Sequence, residues 1–277
     1  MIEKRTIIRD ELISSVRQTP MLMGVLNVTP DSISDGGLYA DRTDALARAK
    51  AMVEEGAAIL DIGGESTRPG STPVSEADEL TRTEQITSDL FETALTPLSI
   101  DTYKAKVAAQ NAAAGAVIVN DISGMTYDPA MADAVAKSGS IIVVTYNRGE
   151  TREDINFVDD MRAFFDAAYA RADQAGIPRA HIWLDPGIGF AKTVAQNFQA
   201  LRRIDVICDY GSPVLVGVSR KSFIGKTLNN EVDERLPGTL AAGLYALQNG
   251  ANVLRVHDVR AHADAIKIQQ TIDQADV

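Results

Sequence analysis

The chain has 277 residues, 45% hydrophobic and 23% charged, with a formal net charge of −11 and one cysteine. That length suits one α/β barrel of roughly 250 residues as well as two domains of about 150, and no apolar run approaches the roughly 18 residues that span a bilayer. A negative chain without a polybasic run argues against nucleic acid or an anionic membrane as partner, while the lone Cys208 and an N-terminus lacking the apolar stretch of a secretory signal suit a reducing cytosol.

Residues 1–20 precede the first apolar run and are expected to cap the floor of a domain spanning 21–277. Eight short Val/Ile/Leu-rich runs follow, at 21–27, 58–63, 98–101, 116–121, 141–146, 181–185, 213–219 and 252–257. Near-continuous runs of this kind mean strands buried on both faces, as in a parallel sheet. Gly56, Gly115, Gly139, Gly176, Gly211 and Gly250 precede six of them, where a helix would end in the left-handed conformation. Between the strands, Ala45, Leu46, Ala49, Met52 and Val53 form a helical stripe with Thr43 or Asp44 as its cap. Ser75-Glu-Ala-Asp78 reads as a capping box opening another helix. Strands alternating with helices close most simply into a (β/α)8 TIM barrel, with a doubly wound open sheet as the competing architecture.

In a barrel the chemistry collects at the C-terminal ends of the strands. Those ends carry Asn27, Asp61, Asp101, Asn120 or Asp121, Thr145 to Asn147, Asp185, Ser219 to Lys221, and Arg255 with His257. Strand alternation means that Asn120 and Asp121 cannot both face inward, and their spacing leaves open which one does. Two connections, 29–42 and 64–73, exceed the usual 2–6 residues of a βα loop and are expected to act as lids. Arg68, Arg220, Lys221 and Arg255 fall at rim positions of an acidic chain, which implies a small anionic ligand such as phosphate or pyrophosphate. Three histidines, only one of them at a strand end, exclude a His-rich zinc centre. Gly225-Lys-Thr227 and the 187–193 segment have the wrong spacing for a P-loop, and Cys208 reads as core.

The motifs themselves resemble the dihydropteroate synthase family. Asn27-Val-Thr-Pro-Asp-Ser-Ile-Ser-Asp-Gly-Gly37 resembles its first signature and Gly63-Gly-Glu-Ser-Thr-Arg-Pro-Gly70 its second. Ser99-Ile-Asp-Thr102, Asn120-Asp-Ile122, Leu184-Asp-Pro-Gly-Ile-Gly-Phe190, Val218-Ser-Arg-Lys-Ser222 and Arg255-Val-His-Asp258 resemble later ones in the same order. The resemblance implies condensation of 4-aminobenzoate with 6-hydroxymethyl-7,8-dihydropterin pyrophosphate in folate biosynthesis. It implies Asp101, Asn120, Asp185 and Lys221 on the pterin, and Asn27, Thr67, Arg68, Arg255 and His257 on the pyrophosphate. Ile33, Thr67, Pro69, Phe190, Lys221 and Ser222 would line the aminobenzoate, with Asp35, Arg68, Asp101 and Lys221 serving catalysis. Asn27 would be the protein ligand of Mg²⁺, and the partners would be small-molecule substrates and a second copy in a homodimer. The chain departs from the family at Ile33, usually Phe, and at Thr145-Tyr146, commonly Met-His. Rival readings are a methyltransferase-like pterin barrel feeding a corrinoid, a non-catalytic pterin-binding protein, and a phosphosugar barrel.

Overall fold

The computed structural model describes residues 1–29, 38–65, 72–93 and 95–275, the side chains of 38–41 excepted. Its strands are β1 (Met21–Asn27), β2 (Ile59–Gly63), β3 (Leu98–Asp101), β4 (Ile118–Asp121), β5 (Ile141–Thr145), β6 (Ile182–Asp185), β7 (Leu215–Val216) and β8 (Val253–Val256). The helices are α1 (Ile2–Ser15), α2 (Leu38–Glu54), α3 (Glu76–Thr93), α4 (Ala105–Ala114), α5 (Met131–Ser138), α6 (Phe157–Ala175), α7 (Val194–Arg202), α8 (Ile204–Cys208), α9 (Ser222–Leu228), α10 (Leu236–Gln248) and α11 (Val259–Asp273). All pair in parallel, in the order β6-β5-β4-β3-β2-β1-β8-β7. The ring closes where Leu184 bridges Val214 and the Leu184 N–H donates to the Pro213 carbonyl at 2.9 Å. The closed barrel displaces the open-sheet alternative. β7 is far shorter than the 213–219 run that announces it, because only its two central residues keep ladder pairing.

Side-chain alternation divides each strand between two cores. Met23, Ile59, Ile118, Ile141, Val143, Trp183, Leu215 and Val253 fill the barrel's lower interior, joined from below by Leu12 and Val16. Leu12 belongs to α1 (Ile2–Ser15), which Arg5 ties to the floor by donating to the Ala116 and Ser138 carbonyls, each at 2.6 Å. Residues of the opposite parity, such as Leu60, Ile62, Ile100, Val119, Val144 and Leu184, face the surrounding helices.

Two local expectations need correction. The helix α2 (Leu38–Glu54) begins well before Thr43 and Asp44, so neither caps it. Before α3 (Glu76–Thr93), Ser75 Oγ accepts from the Asp78 N–H at 3.1 Å, but the Asp78 carboxylate accepts from the Ser75 hydroxyl at 2.6 Å. That is half a capping box, since among the described residues no side chain returns to the Ser75 N–H. The six glycines expected before strands all have positive φ; at Gly139, φ is 64°, closing α5 (Met131–Ser138) in the left-handed region. Among the described residues, no helix is long and apolar enough to cross a membrane.

Candidate active site

The parity that puts apolar residues in the lower barrel puts polar ones at its mouth. Asp61, Ser99, Asp101, Asn120, Thr145, Asp185 and Arg255 lie one or two alternations above that interior core, and all but Arg255 are buried. Asn120 is level with Asp101 on the neighbouring strand, and Asp101 with Gly63. Arg255 donates from Nε to Asp61 Oδ2 and from Nη2 to Asp101 Oδ2, each at 2.6 Å. Asn120 Nδ2 donates to the same Asp61 Oδ2 at 3.0 Å. The choice between Asn120 and Asp121 is thereby resolved. Asp121 turns to the chain beyond its strand, accepting from the Ser123 and Met125 N–H groups at 2.7 Å each.

This cluster keeps hydrogen-bonding capacity in reserve. Asp61 Oδ1, Asp101 Oδ1 and Ser99 Oγ are buried and have no hydrogen-bond partner among the described residues. Burial pushes the Asp101 carboxyl up to about 7, against the pull of the Arg255 charge and with the repulsion of Asp61. Burial works against the Arg255 cation, but Asp61 and Asp101 overcome it and raise its affinity for its proton.

Asp185 stands across the mouth. Its Oδ1 accepts from the Gly187 N–H at 2.7 Å, and burial raises its carboxyl despite the nearby Lys221 charge. Gly187 has φ 66°, and a Cβ there would approach the Tyr146 carbonyl carbon to 2.9 Å, so the turn that holds Asp185 requires glycine. Lys221, preceding α9 (Ser222–Leu228), donates to the Ile188 carbonyl and lies 4.6 Å from the Phe190 ring centroid. Burial lowers its ammonium to about 8, with Asp185 opposing that shift. Ser222 is exposed at the start of the same helix.

Lys192 is a cation that the sequence reading missed. Its Nζ donates to the Tyr146 carbonyl at 2.7 Å and the Phe190 carbonyl at 3.1 Å, 4.2 Å from the Tyr146 ring centroid. Burial lowers it to about 7, against the pull of Asp185. The only cue in the sequence is a lysine that closes a glycine-rich strand-end segment, two residues beyond the 184–190 motif. Asp61 was visible as a strand end but drew no role. Tyr146 faces the helices and donates to Asp160 Oδ2 at 2.6 Å.

The rim is less cationic than its composition suggests. Arg220 is engaged by Asp258, with contacts of 2.9 and 2.5 Å, and Arg255 by the two barrel acids. His257 Nδ1 lies 2.9 Å from Ser219 Oγ. Asn27 ends β1 beside Gly63, where a Cβ would stand 3.3 Å from Asn27 Oδ1 and 3.9 Å from Asp101 Oδ2. Among the described residues, no group of three or more His, Cys, Asp or Glu could hold a metal. Ile33, Asp35, Thr67, Arg68 and Pro69 lie outside the described residues.

Comparison with known proteins gives one consistent result. Residues 23–257 match the model of a family described as pterin binding enzyme. The chain is 42% identical over 258 residues to dihydropteroate synthase of Bacillus subtilis, covering 93% of this chain and 90% of that one. A crystal structure of dihydropteroate synthase from Clostridium difficile, obtained in the presence of pteroic acid, superposes with a TM-score of 0.90 at 39% identity, covering 94% and 98% of the two chains. The Xanthomonas albilineans dihydropteroate synthase with 4-aminobenzoic acid superposes with a TM-score of 0.89 at 40% identity, covering 93% and 94%.

Proposed function

Because the chain belongs to the pterin-binding enzyme family and, within it, to the dihydropteroate synthases, we propose that the barrel mouth is where it joins its two substrates. The enzyme is a transferase that condenses 4-aminobenzoate with 6-hydroxymethyl-7,8-dihydropterin pyrophosphate to give 7,8-dihydropteroate and pyrophosphate. The observation that supports the site is the buried acid-lined base of the mouth, where Asp101 keeps an oxygen without a hydrogen-bond donor among the described residues. A pterin carries an amino and N–H edge that such acceptors satisfy, and a carboxylate takes two parallel hydrogen bonds from it.

On this reading Asp185, Asp101, Asn120 and Lys221 bind the heterocycle, with Asp185 held by the Gly187 N–H to take the donor edge. Phe190, Lys221 and Ser222 flank the aminobenzoate. Arg255 and His257 take the pyrophosphate, together with Thr67 and Arg68 from outside the described residues, where Ile33, Asp35 and Pro69 also lie. The arylamine nitrogen forms a C–N bond to the pterin methylene carbon, whose C–O bond to the pyrophosphate breaks. The electron pair leaves with pyrophosphate, and the amine releases a proton. No protein nucleophile is needed. Catalysis consists of orienting the two substrates and stabilising charge on the leaving group.

Asn27, at the end of β1, would supply a hard oxygen donor of the kind Mg²⁺ prefers, and substrate oxygens and water would complete the shell of the ion. When bound, the ion would neutralise charge on the departing pyrophosphate. A homodimer is supported by an apolar groove between α7 (Val194–Arg202), α9 and α10 (Leu236–Gln248), where Phe198, Leu228 and Tyr245 are exposed. Light scattering of the purified protein tests that state. The activity is tested by pyrophosphate release, which should depend on added 4-aminobenzoate; release that ignores it, or none at all, would refute the reading.

A further inference from the structure

Asp61 is fully buried, belongs to neither substrate's contact set, and yet touches a member of each. Its Oδ2 accepts from Asn120 Nδ2 at 3.0 Å and from Arg255 Nε at 2.6 Å. Asn120 is assigned to the heterocycle and Arg255 to the pyrophosphate. One carboxylate oxygen therefore anchors a residue of both subsites. We propose that Asp61 is a positioning residue that orients Asn120 and Arg255 together, coupling the pterin slot to the pyrophosphate mouth; this rests on the dihydropteroate synthase reading.

The chemistry of the three groups decides what that coupling does. An ionised carboxylate only accepts hydrogen bonds, so the Asn120 amide must turn its NH₂ toward Asp61. Its carbonyl oxygen is then the free end, and the slot meets an acceptor at this position instead of a donor. That polarity suits the N8–H of a 7,8-dihydropterin, which lies outside the edge taken by Asp185, and disfavours a ring presenting acceptors there. Arg255 has its Nε committed to Asp61 and one Nη2 hydrogen to Asp101. The planar guanidinium is thereby clamped between two strands, and its other N–H groups remain for an anion. Removing the Asp61 charge would release both: Asn120 becomes free to flip, and Arg255 keeps Asp101 as its only carboxylate partner among the described residues.

The test uses the whole enzyme and 6-hydroxymethyl-7,8-dihydropterin, which has no pyrophosphate, in calorimetric titrations. Asp61→Asn is isosteric and is expected to bind this compound at least tenfold more weakly than wild type. Adding Asn120→Ala in that background should cost no more than twofold further, although Asn120→Ala alone is damaging. Asn120→Asp alone sets two carboxylates against each other and should lose binding. The double variant Asp61→Asn/Asn120→Asp restores the hydrogen bond with its roles reversed, keeps an acceptor toward the slot, and should bind at least tenfold more tightly than Asn120→Asp alone. A purely structural role would lower thermal stability without producing this rescue. Asp61→Asn binding within threefold of wild type, or a double variant no better than Asn120→Asp, overturns the inference. Should Asp61→Asn fail to fold, the double variant still decides. If wild type itself binds no pterin, the functional reading falls and this inference with it; if wild type binds and only the variants disobey, the inference alone falls.

Discussion

Lys221 reaches from the residue before α9 to the carbonyl of Ile188, on the turn that follows Asp185. The lysine proposed to meet the pterin is thus also a tie between the ends of β6 and β7, where the barrel ring closes by a single bridge. Opposite charges on Asp185 and Lys221 act on each other at the mouth, and each alters the other's protonation.

Replacing Asp185 by alanine removes the acceptor for the pterin donor edge and leaves the Gly187 N–H without its partner. Losing one side of a buried, charge-assisted pair costs roughly 2–5 kcal/mol. Calorimetry with the pterin substrate should show that loss, with the affinity for free 4-aminobenzoate unchanged.

The pH profile follows from two opposed shifts. Asp101 ionises near 7 and Lys221 gives up its proton near 8, each displaced mainly by burial. If substrate needs the carboxylate and the ammonium, kcat/KM rises as pH climbs through about 7 and falls above about 8. Lys221→Arg should abolish the alkaline limb at lower overall activity. Lys192→Met should keep that limb, because Lys192 faces carbonyl groups and the Tyr146 ring.

Gly217 leaves room inside the mouth. A Cβ there would stand 3.7 Å from Lys221 Nζ and 3.7 Å from Arg255 Cβ, which is ordinary contact distance. Gly217→Ala should therefore fold with a stability within about 0.5 kcal/mol of wild type. It should raise KM for the pterin substrate because the added methyl takes space beside both cations. Thermal melts and initial rates separate the two effects.

Tyr146 makes the converse prediction. Its hydroxyl bonds Asp160 and its ring packs against Phe157 and Phe164, outside the barrel interior. Tyr146→Phe should cost about 0.5–1.5 kcal/mol of stability, since Asp160 keeps Arg148 as a partner. Steady-state kinetics should find KM for both substrates unchanged.

Much of this was legible along the chain because a parallel strand announces itself twice, by a continuous apolar run and by the polar residue that ends it. Asp101, Asn120, Asp185, Lys221 and Arg255 were found that way, and the structure gathers them at one mouth. What a linear reading misses is pairing across strands. Asp61 looked like any strand-end acid until Arg255 and Asn120, far away in sequence, were seen to share its oxygen. Arg220 counted as a free rim cation until Asp258 was found against it. The start of α2 was misplaced for a related reason: its apolar stripe begins at Ala45, several residues inside a helix that starts at Leu38.

The two-residue repeat of the strands also sets how this chain tolerates change in length. Asp61 and Leu60 differ only in which side of the sheet they occupy, one in the mouth and one against the helices. Deleting or inserting one residue within β2 would exchange them, driving a carboxylate among hydrocarbons and emptying the anchor of Arg255 and Asn120 in a single step. Point substitutions test the site piecemeal, whereas a frame slip in any one strand dismantles it, so viable indels belong in the connections.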